Sequence, residues 1–76
     1  MTPQQIEQLI QNKLTDARVS VSGDDGKFTA EVISDEFTGL SPIKRHKLVY
    51  ACVNDEIISG ALHALTIIAK TPAETA

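Results

Sequence analysis

The chain has one cysteine, Cys52, no tryptophan, three aromatic side chains (Phe28, Phe37 and Tyr50) and no excess of positive charge. Each scarcity excludes something. A lone cysteine closes no internal disulfide, and with His46 and His63 it makes three soft or borderline ligands, one short of a four-ligand structural zinc site. Three aromatics with expected core roles leave no platform on which single-stranded bases could stack. A net charge of -3 at pH 7 gives no global field drawing the chain to nucleic acid or an anionic membrane, so any such contact must come from a local patch. No apolar run approaches the ~20 residues of a membrane span. Glu7 is the sole charged side chain among the first twelve residues, which lack the basic start and apolar core of a secretory signal; the expected compartment is the cytoplasm.

What is present reads as one ordinary folding unit. The 76 residues are 42% hydrophobic and 22% charged, without repeats or low-complexity tracts. A single domain over 1–76 is expected, and a core of that size leaves little room for an enclosed active site. Thr2, Pro3 and Gln5 mark a helix start with a capping box, and Ile6, Leu9, Ile10, Leu14 and Ala17 follow at helical spacing. From Arg18 the period changes to two. Val19 and Val21 form one side of a strand, and after a turn from Gly23 to Gly26 a second strand places Phe28, Ala30 and Val32 inward, completing a hairpin.

Ser41 and Pro42 start a second, longer helix, with Ile43, Val49, Tyr50, Val53, Ile57 and Ile58 as its apolar face and an end near Gly60. The nearly continuous apolar run from Ala61 to Ala69 reads as a strand covered on both faces. Reaching it through a helix implies a right-handed crossover and a parallel neighbour. Thr71, Pro72 and Glu74 then start a short C-terminal helical turn. The expected fold is therefore α+β: a single αββαβ domain with a three-stranded mixed sheet covered by helices.

Few residues carry chemistry. The GDDG of the hairpin matches the GxxG loop of KH domains in letters only, because it joins two strands and its aspartates repel phosphate. Cys52 lies between Ala51 and Val53 on a helix and reads as a buried, inert small hydrophobe; spacing alone builds no Cys-His nucleophilic site with His46 or His63, so no enzyme is expected. Lys44, Arg45, His46 and Lys47 form the one basic cluster, at a helix start. It reads either as a solvated face or as a weak, salt-dependent phosphate contact made by Lys44, Arg45 and Lys47.

The stretch FTGLSPIKRHKLVYACVNDEI, followed by LHALTIIAKTPAE, resembles the signature of the BolA family. The residues that carry the resemblance are Phe37, Gly39, Arg45, His46, Val49, Tyr50, His63, Ala64, Thr71, Pro72 and Glu74, in order, and the preceding helix and hairpin fit as well. It implies a KH-like fold, a monothiol glutaredoxin as partner, and an iron-sulfur cluster shared with that partner, none being held in isolation, where a monomer is expected. The function it implies is that of a non-enzymatic adaptor in cluster holding, transfer or iron homeostasis. The alternative is a DNA-binding transcriptional regulator of the stress response using the KRHK helix start. His63 stands where the family has a cluster-ligating histidine; without the resemblance it reads as a histidine bordering the core. The family's loop ligand, a histidine or cysteine, falls on Lys27, and an ammonium has no lone pair for iron. Binding through one ligand, recruitment of Asp24, Asp25 or His46, and a metal-free interaction module all remain open.

Overall fold

The computed structural model describes residues 1–75. The first helix, α1 (Pro3–Lys13), begins with the expected capping box: the Gln5 N–H donates to Thr2 Oγ1 and the Thr2 N–H to Gln5 Oε1 at 2.8 Å. Ile6 and Ile10 are fully buried, and Gln11 donates to the carbonyl of Ala17 at 2.8 Å, closing the turn into the sheet. Strands β1 (Arg18–Asp24) and β2 (Lys27–Ile33) pair antiparallel, with Val21 opposite Ala30 and Asp24 opposite Lys27.

The hairpin is tighter than the four-residue turn expected. Gly23 and Asp24 already belong to the ladder, leaving a two-residue loop of Asp25 (φ 51°) and Gly26 (φ 76°), the type I′ geometry that Asp-Gly favours. Gly23 (φ 124°) is required because a Cβ there would collide with the carbonyl of Lys27 across the ladder.

A 3₁₀ turn, Asp35–Phe37, follows β2 and sinks Phe37 completely into the core. Ser34 organises it, accepting from the Glu36 N–H while donating to Asp16 at 3.0 Å. The single long second helix is instead two: α2 (Pro42–Cys52) and α3 (Asn54–Ser59), separated by Val53 at φ −125°, ψ 19°. Val53 is fully buried, and the break turns Ile57 and Ile58 to the surface. Of the six residues assigned to the apolar face, only Val49 and Val53 are core; Leu48 and Cys52 take the other inward positions, and Ile43 is 69% exposed.

Strand β3 (Ala64–Lys70) runs parallel to β2, with Ile67 beside Ala30, and gives the sheet order β1-β2-β3. It starts three residues later than expected and is covered on one face only. Leu65 and Ile67 enter the core while Ala64, Thr66 and Ile68 are exposed, as are Ser20, Ser22 and Glu31 on the same open face. Helices packed on one side of the sheet cannot cover the other, so an apolar run that resembles a fully buried strand alternates after all. A final helical turn, α4 (Pro72–Thr75), is closed by the Thr71–Glu74 box: the Thr71 N–H donates to Glu74 at 2.8 Å and the Glu74 N–H to Thr71 Oγ1.

Both sheet edges are closed by side chains from the helices. The outward N–H of Val21 on β1 donates to Glu7, and on β3 the outward carbonyls of Leu65 and Ala69 accept from Tyr50 and Arg45 of α2. Unpaired edges invite strand addition, and these contacts occupy part of each.

Candidate functional site

His63 is the last residue before β3 and lies at the hairpin end of the sheet. Its N–H and that of Ala64 both donate to the carbonyl of Gly26, at 3.1 and 2.9 Å, so the strand begins against the turn. The imidazole packs on Gly26, exposed to solvent. Among the described residues neither ring nitrogen has a hydrogen-bond partner, which sets aside a core histidine satisfied by a carbonyl.

Lys27 opens β2 at the same end, exposed, and pairs with Ala64, one register step from His63. Asp24 stands opposite Lys27 and Asp25 occupies the turn. The fold thus brings His63 to the hairpin that carries Lys27. It does not assemble a complete site: among the described residues, no three His, Cys, Asp or Glu side chains come together so as to hold a metal ion. His46 is exposed on α2 and contributes nothing to such a group.

Cys52 is buried, as expected, with its thiol donating to the Leu48 carbonyl at 3.4 Å. Burial pushes the thiol pKa up, with a smaller opposing pull from Lys13. A protonated, covered thiol is a poor nucleophile and a poor ligand.

Arg45 requires a correction, because the phosphate reading counted it among three free cations. Its guanidinium is spent within the fold: it donates to the carbonyls of Leu40 (2.9 Å) and Ala69 (3.2 Å) and makes a two-pronged pair with Glu74 at 2.7 and 3.2 Å. Its side chain is only 14% exposed. Lys44 and Lys47 remain as solvent-facing cations. The Arg45 hydrogen bonds, with the Thr71 N–H second, hold the Glu74 carboxyl at about 2, below its ordinary 4.5.

A family model described as BolA-like protein matches residues 4–74. The chain belongs to the BolA family. This BolA-like chain is 39% identical, over 97% of its length and 89% of the relative's, to an uncharacterized protein in the rpoN-murA intergenic region of Acinetobacter guillouiae. It is 54% identical over 55 residues to SufE-like protein 1, chloroplastic/mitochondrial, of Arabidopsis thaliana, covering 70% of this chain but spanning only 15% of that relative. Among solved structures, a bolA protein homologue from Coxiella burnetii superposes with a TM-score of 0.87 at 34% identity, covering 99% of this chain and 96% of the other.

Two features of this BolA-like chain escape a reading of the sequence. Arg45 and Glu74 are 29 positions apart, and no local pattern links them. Gly26 is legible as a turn residue, whereas its contact with the imidazole exists only because of the β2–β3 register.

Proposed function

We propose that this chain is a non-enzymatic cytoplasmic adaptor, monomeric in isolation, that docks on a monothiol glutaredoxin and lends one imidazole, His63, to an iron-sulfur cluster shared between the two. The observation that carries the reading is the solvent-facing imidazole at the hairpin end of the sheet, with both nitrogens lacking partners among the described residues. A cluster held wholly by this chain does not fit, since no three-ligand group forms among the described residues. A shared one does, because the partner supplies the missing ligands. Membership of the BolA family and the likeness to a SufE-like protein support the same direction.

When bound, the cluster would supply transferable iron and sulfide. The chain's own part would be to offer an imidazole nitrogen of His63 at the hairpin end of the sheet, beside Gly26. Lys27, as an ammonium, contributes charge and no lone pair.

The test is anaerobic mixing with a cluster-loaded monothiol glutaredoxin, followed by visible circular dichroism and the rate of cluster loss. His63→Ala is expected to abolish the spectral change seen with the wild-type chain. Lys27→His is expected to restore a loop imidazole and lengthen the lifetime of the mixed complex through effective concentration, and Lys27→Ala to change little. An unchanged spectrum with His63→Ala removes the assignment.

A further inference from the structure

The hydrogen-bond register of β3 against the hairpin does more than bring His63 near the turn. The direction in which a side chain at position 26 would project is the one filled by the imidazole. A Cβ on Gly26 would lie 2.5 Å from His63 Cδ2, 3.2 Å from Cγ and 3.4 Å from Cβ. The Gly26 carbonyl meanwhile receives two consecutive N–H groups, those of His63 and Ala64, and so fixes the His63 backbone on the same residue that its ring covers. Position 26 is therefore glycine for two separable reasons: its φ of +76° in the turn, and the space taken by the ring.

We infer that Gly26 is the positioning residue for His63: by having no side chain it seats the imidazole of this solvent-exposed residue against the hairpin. The inference rests on the reading of His63 as a ligand only for its consequence, not for its geometry. An exposed histidine ordinarily samples several rotamers, and ordering such a side chain on binding carries an entropic cost. A ring already seated by its contact with Gly26 has less freedom to lose. Displacing it is expected to shorten the life of the mixed complex by about three- to tenfold, the effect of one rotamer-rich side chain left to be ordered at binding.

The distinguishing variant is Gly26→Asn. Asparagine accepts a positive φ better than other side chains, so it retains the turn while placing a Cβ where the ring lies; Gly26→Ala is the harsher companion. In the isolated wild-type chain, NMR should show nuclear Overhauser contacts between the Gly26 Hα protons and the His63 Hδ2 proton, and a single preferred His63 rotamer. In Gly26→Asn the rotamer preference should be lost with β1–β2 pairing intact. In the mixed complex with a cluster-loaded monothiol glutaredoxin, Gly26→Asn should raise the rate of cluster loss about three- to tenfold, and in the isolated chain its effect on urea unfolding should shrink when His63→Ala removes the ring it displaces. A merely structural glycine would give the same effect in both backgrounds. Absence of the Overhauser contact in the wild-type chain, or an effect of Gly26→Asn on stability that is undiminished without His63, overturns the inference. If His63→Ala leaves the mixed complex unchanged, the ligand reading fails separately, and the seating of the ring is judged by the NMR of the isolated chain.

Discussion

Replacing Arg45 by methionine removes every donor of the side chain while keeping much of its aliphatic stem, so the loss reports the hydrogen bonds rather than a cavity. Two half-buried backbone carbonyls, on Leu40 and on Ala69 at the free edge of β3, would each lose a charged donor. Hydrogen bonds from charged groups contribute roughly 1.5–3 kcal/mol each, and water can recover part of that at these half-covered sites. The expected destabilisation is about 2–4 kcal/mol, a large share of the roughly 5–10 kcal/mol that holds a small domain together. For a chain of this length it corresponds to a fall of roughly 10–25 °C in Tm. Urea unfolding at pH 7, with Lys47→Met as the control for loss of an exposed charge, measures it; the control should stay within about 0.5 kcal/mol of wild type. The acid limb gives a second readout. Glu74 has its folded pKa depressed to about 2, so its contribution is complete above its ordinary 4.5 and disappears as the pH falls through about 2. In Arg45→Met that part of the pH dependence should shrink but not vanish, because the Thr71 N–H still binds the carboxylate. An Arg45→Met variant as stable as Lys47→Met, with an unaltered acid limb, would refute a structural role for the guanidinium.

Cys52→Ser is expected to lower stability by about 1–3 kcal/mol, since it places a hydroxyl in apolar surroundings, and to leave glutaredoxin binding intact; chemical denaturation and a pull-down with the purified partner check both. Loss of binding in a still-folded variant would contradict it. Any DNA binding should be weak, with a slope of log K on log salt of about −1.8 for the two lysines that remain free, and should disappear when Lys44 and Lys47 are both changed to alanine. Fluorescence anisotropy over a salt series measures it, and nanomolar, sequence-selective binding at physiological salt would overturn the prediction.

Local patterns carried the order and type of the main elements, but not the 3₁₀ turn at Asp35–Phe37 or the break of the second helix at Val53. The capping boxes at Thr2 and Thr71, the change of period at Arg18 and the glycine-bounded hairpin turn are short-range instructions, each satisfied by residues within a few positions, and each appears in the structure, although the turn closes on two residues rather than four. The family resemblance singled out His63 for the same reason, since its motif is a linear one. What sequence alone could not decide is which apolar residues face inward when there are more of them than a single covered face can use. Ile43, Ile58 and Ile68 have hydrophobicity and spacing suited to a core, yet all three are exposed: Ile68 lies on the uncovered face of the sheet, Ile58 follows the break at Val53, and Ile43 sits in the first turn of α2. Tertiary structure likewise decided that Arg45, an ordinary member of a basic run in sequence, clasps Glu74 and the edge of β3, and that Gly26 makes room for His63. Those are contacts between segments far apart in the chain, and they arise only once the parallel pairing of β2 with β3 has set the register of everything at the two ends of the sheet.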